Sequence, residues 1–428
     1  MNIFLKSLTL LSLLIFFSPQ SSKAAEVTDP TAFSHVDIYH PFDKEIGEHF
    51  ERILKKFNAV SPKFQVIAKS KNSSKDDSEA IIAQKDLAQE SPLVWISSDK
   101  ISEMSHQNNA YVPLAKLMNV KRGEFIPIIY QYASSPKAIA HDFQLISLPF
   151  ACSTPILFFN KTAFEEAGLD PKLPPQTWEQ LEQAITKLKK VGYTGLAITG
   201  GFLKLLENFS AVHNLPLVAK KETPSLKSIR TTLQTKPYQD YFKRLAQWNK
   251  EGLYVPFEND DQIYEDFTGG NIGIILADAH QQEMLIEKIK KGQDDGKSFK
   301  LGVGPYPYLR SLTSKPFAMP IQGDTLWITT GHEEDHQGIA LFLNYLLSPE
   351  VQAEWHQRTG YLPMTLSAYR QTHNAKFYDT NPVHRISTQQ IMNRQIGASQ
   401  TSLQWYLNVD DQKSLTHILD GMLIGEGA

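Results

Sequence analysis

The sequence contains a single cysteine, Cys152, in 428 residues. One cysteine cannot form an intramolecular disulfide, and it cannot supply a zinc or iron–sulfur site that needs several thiolates. An exported chain of this size without disulfides suits a bacterial periplasm better than eukaryotic secretion. We interpret Cys152 as a buried or pocket-lining thiol rather than a nucleophile, because no His-bearing catalytic signature surrounds it.

The chain also lacks an excess of charge of one sign. It has 43 Lys and Arg against 46 Asp and Glu, which gives a formal net charge of −3. Because nucleic-acid binding depends on basic groups that contact phosphates, we expect no nucleic-acid partner. The length, at about 150 residues per domain, predicts two or three domains.

The N-terminal apolar run, residues 8–17, is too short to span a membrane. It is roughly ten residues long, about half of what a bilayer requires. Lys6 precedes it, and Ser22-Lys23-Ala24 follows with the small-x-small pattern that signal peptidase accepts. We therefore predict that residues 1–24 are a cleavable signal peptide and that the mature protein is periplasmic. An uncleaved membrane anchor is the alternative.

From residue 35 onward, short apolar stretches alternate with longer stretches of helical period. This pattern is typical of an α/β protein, and we expect mostly parallel sheets. Residues 36–40 and 64–68 are predicted strands on either side of a helix, which makes a βαβ unit. Further strands are predicted at 92–98, 155–160, 272–277 and 326–329.

One helix start has a specific signal. Thr177 followed three residues later by Gln180 fits a capping box. Leu181, Ile185 and Leu188 then recur at helical spacing and predict the buried face of the helix.

The pentad from His332 to His336 matches the zinc-protease pattern H-E-x-x-H, with Glu333 as the general base. That chemistry requires both histidines on one helix within a cleft. Gly331 and Gly338 flank the pentad, so we interpret it as an exposed turn between a strand and a helix. An exported zinc-dependent hydrolase that uses His332, Glu333 and His336 is the alternative function.

Four stretches carry a resemblance to a known family. They are PFACSTPILFFNK (149–161), AGLDP with PPQTW (167–178), LENFSA with LP (206–216) and AEWHQRTGYLP (353–363). Together they resemble the extracellular solute-binding proteins of bacterial ABC importers, and most closely the members that take glycerol 3-phosphate. The similarity runs from about residue 36 to residue 393.

The resemblance implies the type II periplasmic-binding-protein fold, with two α/β lobes around a ligand cleft. It implies lobe 1 at residues 25–147 plus 300–330 and lobe 2 at residues 148–299 plus 331–428. It further implies a monomeric receptor without catalysis, metal or cofactor, which delivers a small-molecule solute to permease and ATPase subunits. A receptor-like protein that serves sensing or adhesion instead of transport is a further possibility, since fold does not fix function.

Five ligand-contacting positions of the family are retained in kind. The resemblance assigns a cleft acid to Asp99, a hydroxyl donor to Ser153, an aromatic to Trp178, a close-approach glycine to Gly323 and a second aromatic to Tyr361. A carboxylate and a hydroxyl bind a polyol, while aromatic faces pack on its carbon skeleton. For Asp99, helix capping is an alternative role, and for Trp178 and Tyr361 the alternative is packing.

Three further positions depart from the family's pattern. A tyrosine is replaced by Ser74, a phosphate-contacting serine by Asp278, and a phosphate-binding arginine by Gln412. An added carboxylate and a lost arginine both disfavour a phosphate monoester. Glycerol 3-phosphate, a glycerophosphodiester and a neutral sugar or polyol all remain candidate ligands. We expect Asp278 to contact the ligand, and Ser74 and Gln412 are further candidates for ligand contact.

Overall fold

A computed structural model describes residues 34–42, 44–70, 92–96, 101, 104, 111–134, 144–218, 225–256, 259–292, 298–397, 403 and 406–424. The predicted signal peptide, Ser74 and Asp99 lie outside the described residues. No described helix is long and apolar enough to cross a membrane.

The first βαβ unit forms as predicted. Strand β1 (Ser34–His40) and strand β2 (Phe64–Ser70) pair in parallel, and helix α1 (Lys44–Val60) connects them. The helix buries Phe50, Ile53, Leu54 and Phe57, which recur at the spacing of one helical face.

Strands β1 and β2 belong to a first sheet that also contains β3 (Leu93–Ile96), β4 (Tyr111–Val112), β5 (Leu148–Ser153) and β10 (Gln322–Thr329). The strand order is β2-β1-β3-β10-β4, and β5 also pairs with β10. Strand β1 pairs in parallel with β3, whereas β10 is antiparallel to each of its three partners.

The second sheet contains β6 (Pro155–Asn160), β7 (Thr194–Ile198), β8 (Ile272–Asp278) and β9 (Leu301–Gly304). Its strand order is β7-β8-β6-β9. Strand β6 is antiparallel to β8 and β9, and β7 is parallel to β8. The expectation of mostly parallel sheets was therefore wrong for the described strands. A strand buried on both faces has the same run of apolar residues whether it pairs with its neighbours in parallel or antiparallel, so the sequence pattern does not distinguish the two.

Helices cover both sheets. After α1, the described helices are α2 (Leu114–Leu117), α3 (Pro127–Tyr132), α4 (Lys161–Glu166), α5 (Trp178–Lys190), α6 (Gly201–His213), α7 (Leu226–Leu233), α8 (Lys236–Lys250), α9 (Asp260–Thr268), α10 (Gln282–Lys291), α11 (His336–Leu346), α12 (Pro349–Thr359), α13 (Leu366–Asn374), α14 (Phe377–Thr380), α15 (Pro382–Met392) and α16 (Val409–Ile424).

Helix α5 begins where its capping residue predicts. Thr177 Oγ1 accepts a hydrogen bond from Gln180 N, and Leu181, Ile185 and Leu188 are buried. The side chain of Gln180 instead accepts from the backbone N–H of Gln176, so only half of the predicted capping box forms.

The two sheets divide the chain differently from the predicted lobe boundaries. Strand β9, which was assigned to lobe 1, pairs with β6 in the second sheet. Helices α11 and α12, which were assigned to lobe 2, contribute Phe342 and Trp355 to the core of the first sheet. Short apolar segments do not reveal which sheet they join, because strand pairing depends on partners that are distant in the sequence.

Candidate functional site

The chain crosses between the two sheets on adjacent strands. In the pairing of β5 with β10, Ser153 lies opposite Gln322 and Cys152 lies opposite Gly323. Strand β6 begins at Pro155, directly after the crossover. Helix α15 braces this point, because Gln390 Nε2 donates to Pro155 O at 2.7 Å. The crossover therefore joins the first sheet to the second at residues 153–155.

Gly323 occupies a position that only glycine fits. Its φ angle is +118°, and a Cβ atom there would lie 2.3 Å from the carbonyl oxygen of Ala151. The Tyr132 hydroxyl donates to Gly323 O at 2.7 Å, which fixes the strand at this point. A side chain would push β10 away from β5, so the crossover geometry depends on this residue.

Ser153 links the crossover to the end of β8. Its Oγ accepts a hydrogen bond from the backbone N–H of His280, at 3.2 Å. His280 lies in a 3₁₀ turn, Ala279–Gln281, that follows β8. This bond places the imidazole of His280 at the mouth of the second lobe.

Tyr361 meets that imidazole from the first lobe. The two rings are stacked, with centroids 4.8 Å apart and planes inclined by 13°. Trp355 stacks on Tyr361 with its centroid at 5.7 Å, and the phenyl ring of Phe42 lies 6.4 Å away. Phe42, His280 and Tyr361 form an aromatic wall that faces a cleft, whereas Trp355 is 2% exposed and belongs to the core of the first sheet. Aromatic rings that face a cleft can pack on the carbon skeleton of a polar ligand.

A cleft of about 920 Å³ opens beside this wall, and both lobes line it. Its carboxylates come from α1, α10 and the crossover strand, namely Glu45, Glu48, Glu283, Glu287 and Asp324. Its cationic side chains are Lys290 and Arg358. The described lining is thus acidic, and the volume lies within the range of small-molecule sites.

The comparison with known families decides between the candidate functions. The model of the family described as bacterial extracellular solute-binding protein matches residues 52–383. The chain belongs to this family. The cleft of about 920 Å³ is therefore the candidate solute site of this solute-binding protein.

Curated relatives agree with that assignment. The sn-glycerol-3-phosphate-binding periplasmic protein UgpB of Yersinia pestis is 30% identical over 375 residues, which covers 85% of this chain and 81% of the relative. The protein of the same name from Salmonella typhimurium is also 30% identical, with 85% and 82% covered.

Solved structures share the fold. UgpB from Mycobacterium tuberculosis in complex with glycerophosphocholine has a TM-score of 0.71 at 17% identity, with 91% of this chain and 95% of that chain covered. The GacH receptor of Streptomyces glaucescens, solved unliganded and with acarbose, has a TM-score of 0.70 at 15% identity, with 92% and 94% covered. The predicted two-lobed α/β receptor fold is therefore confirmed.

Family membership also confirms the expectation of a binding protein without catalysis. The zinc-hydrolase alternative has no support, because the pentad does not form the required helix. His332 precedes a 3₁₀ turn, Glu333–Asp335, and His336 is the first residue of α11. The ligand atoms of His332, Glu334 and Asp335 lie within 4.8 Å of one another on this turn, but Asp335 accepts a hydrogen bond from Ser34 Oγ.

The structure brings four predicted ligand residues of the solute-binding protein together. Ser153 and Gly323 lie on the crossover strands, and Asp278 ends β8 opposite Pro155. Of the four, only Tyr361 lines the cleft; Asp278 lines a smaller pocket nearby, and the side chain of Ser153 is fully buried. Their contact with a ligand stays a prediction, as it does for Asp99 and Ser74.

Two other predicted residues lie apart from the cleft lining. Trp178 is 1% exposed, stacks on Trp248 and donates from Nε1 to Pro307 O, within the core of the second lobe. Gln412 lies on α16, where its Nε2 donates to Leu407 O at 2.9 Å. The structure therefore gives both residues packing contacts, and ligand contact by either one stays a prediction.

Sequence reasoning missed His280, which lines the cleft, and Lys204, which lies beside Asp278 in the smaller pocket. Lys204 Nζ lies 3.9 Å from Asp278 Oδ2. Neither residue belongs to a local motif, because each reaches the site through the packing of its lobe. Cys152 is buried as predicted, and burial raises the pKa of its thiol well above the usual range.

Proposed function

We propose that this protein is a periplasmic receptor that binds one glycerophosphate-type or sugar-type solute and delivers it to the permease and ATPase subunits of an ABC importer. The observation that supports this most strongly is the cleft of about 920 Å³ between the lobes, spanned by the Tyr361–His280 stack. Names of the relatives and structural neighbours point to the same two ligand classes.

The cleft's charge bears on the choice of ligand. The cleft is lined by five carboxylates and two cationic side chains. Lys291 pairs with Glu287 at 2.6 Å, and the other four carboxylates still outnumber the cations and repel a phosphate dianion. The same carboxylates accept hydrogen bonds from hydroxyl groups and attract a cationic group. We therefore favour a neutral sugar or polyol, or a glycerophosphodiester with a cationic group, over glycerol 3-phosphate.

Ligand contact by Asp99, Ser153, Asp278, Gly323 and Tyr361 belongs to this proposal. Ser153 and Gly323 lie where the two lobes join, so a solute that touches them also contacts both lobes. Roles for Trp178, Ser74 and Gln412 have only the family resemblance as support.

Location and assembly are also part of the proposal. Residues 1–24 act as a cleavable signal peptide, and the mature chain works as a monomer. The curated relatives are periplasmic proteins, which supports the location. N-terminal sequencing of the exported protein and its mass in sedimentation check both statements.

Calorimetric titration tests the proposed function. We expect purified protein to bind one of maltose, glycerophosphocholine and glycerol 3-phosphate at one equivalent, with a dissociation constant of about 1 µM or lower. The proposed function is wrong if none of these probes, nor any member of a wider panel of sugars and glycerophosphodiesters, binds.

A further inference from the structure

A second, smaller pocket opens at the carboxyl end of the second sheet, and we name it the inner pocket. The lining residues that matter here are Thr199, Lys204, Asn208, Asp278 and Gln322. Its open space is about 10 Å³, which takes roughly one water-sized group. It adjoins the crossover, because Gln322 pairs with Ser153 and Asp278 pairs with Pro155.

Three buried polar atoms of residues that line the inner pocket have no hydrogen-bond partner among the described residues. They are the acceptor Asn208 Oδ1, the donor Gln322 Nε2 and the hydroxyl oxygen of Tyr306, and each of these residues is at most 3% exposed. Leaving such an atom unpaired costs about 1–3 kcal/mol, so native proteins rarely keep one without a ligand or a water to complete it. Here a donor and an acceptor line the same small space.

The charges around the pocket include one cation. Gly200 has a φ angle of +85°, and a Cβ atom there would lie 2.5 Å from Lys204 Cδ, so the glycine leaves the space in which the lysine side chain lies. Lys204 Nζ is 3.9 Å from Asp278 Oδ2. Asp260 accepts a hydrogen bond from Gly200 N at 2.8 Å and also interacts electrostatically with Lys204.

Two carboxylates around one ammonium group disfavour a phosphate at this position. A single hydroxyl group fits better, because it donates one hydrogen bond and accepts others. The free space, about the size of one water, also excludes a phosphate group with its several oxygens.

We infer that the inner pocket is a subsite that takes one hydroxyl-bearing end of the solute, such as a hydroxymethyl group. The hydroxyl donates to Asn208 Oδ1 and accepts from Gln322 Nε2, while Lys204 neutralises Asp278. This subsite rests on the proposed function, and it assigns roles to Lys204, Asn208 and Gln322.

Two variants, Asn208→Leu and Gln322→Met, test the subsite by titration with maltose, glycerophosphocholine and glycerol 3-phosphate. We expect each variant to bind the wild-type probe about tenfold more weakly. The melting temperature should fall by no more than about 2 °C, because the loss of the rest of each amide is offset by the removal of an unpaired polar atom. Gln371→Met, an exposed change outside both cavities, should alter neither quantity.

The possible outcomes separate the subsite from the proposed function. Unchanged affinity in both variants contradicts the subsite alone, and so does weaker binding that accompanies a much lower melting temperature, since that result indicates a structural role. A wild-type protein that binds no probe contradicts the proposed function and the subsite with it. In a crystal of the complex, a ligand hydroxyl must lie between Asn208 and Gln322, and a phosphate there overturns the assignment.

Discussion

The imidazole of His280 stacks on the phenol ring of Tyr361, with centroids 4.8 Å apart and planes 13° from parallel. His280 follows a strand of the second sheet, whereas Tyr361 packs with the core of the first. The stack therefore joins the lobes across the mouth of the cleft.

Replacing Tyr361 with alanine should weaken both binding and folding, because the ring is buried in the core of the first sheet. Tyr361→Ala removes the aromatic wall, and we expect a loss of affinity of about tenfold to a hundredfold for the bound probe, measured by calorimetry. Tyr361→Phe keeps the ring and should retain most of the affinity. Tyr193→Ala, outside the cleft, serves as the control. Equal affinity of wild type and Tyr361→Ala would exclude the ring from the site.

Gly323→Ala should destabilise the crossover. The new Cβ atom meets the Ala151 carbonyl oxygen at 2.3 Å, and the backbone conformation is one that alanine rarely adopts. We expect a loss of about 2 kcal/mol or more in the free energy of unfolding, measured with denaturant. Gly123→Ala, where a Cβ atom meets nothing within 4 Å, should change stability by less than about 0.5 kcal/mol. Similar losses of unfolding free energy in the two variants would show that a Cβ atom at residue 323 does not clash with the carbonyl oxygen of Ala151.

Stability should fall as the solution becomes acidic, because three buried histidines, His213, His356 and His384, have pKa values that burial lowers. Burial lowers the pKa of His356 to about 3 and that of His384 to about 4, with their rings 5.1 Å apart. Both values lie below the unfolded value of about 6.5, so the unfolded chain binds more protons as the pH falls below 6.5. Each histidine then contributes up to about 1.4 kcal/mol of lost stability per pH unit.

The variant His384→Gln checks this assignment. Denaturant unfolding at pH 7, 6 and 5 should show a shallower pH dependence for the variant than for wild type. Identical slopes would mean that His384 is not held neutral in the folded protein. His373→Gln, at the exposed end of α13, should keep the wild-type slope.

Cys152 should be unreactive until the protein unfolds. It is fully buried, and burial raises the pKa of its thiol, so the thiolate that attacks disulfide reagents is scarce. A colorimetric disulfide reagent should detect no thiol in the native protein over several minutes and one thiol in denaturant. Rapid labelling of the native protein would place Cys152 at the surface.

Local signals predicted local structure well. Strand β6 has the predicted bounds, Pro155–Asn160, and helix α5 begins after its capping residue, Thr177. Both depend on apolar runs and caps that lie within a few residues of one another. The direction of strand pairing and the sheet that β9 joins depend on distant partners, and the pattern gave no signal for either.

The candidate site shows the same division. Ser153 and Tyr361 belong to stretches that resemble the family, and Gly323 lies within the wider range of similarity, so the resemblance could assign all three to the site. His280 lies in the turn after β8, and Lys204 lies in the first turn of α6. Neither residue belongs to a sequence motif that predicts a binding site. Trp178 differs from these residues, because the resemblance assigns it to ligand contact while its side chain is buried in the core of the second lobe.

A crystal structure of the protein grown with its tightest-binding probe tests the central claim most directly. We predict one molecule of the probe in the cleft between the lobes, packed on Tyr361 and contacting the crossover near Ser153 and Gly323. A probe bound elsewhere on the surface, or a cleft that remains empty at saturating probe, would contradict the account of this protein as a solute receptor that binds between its lobes.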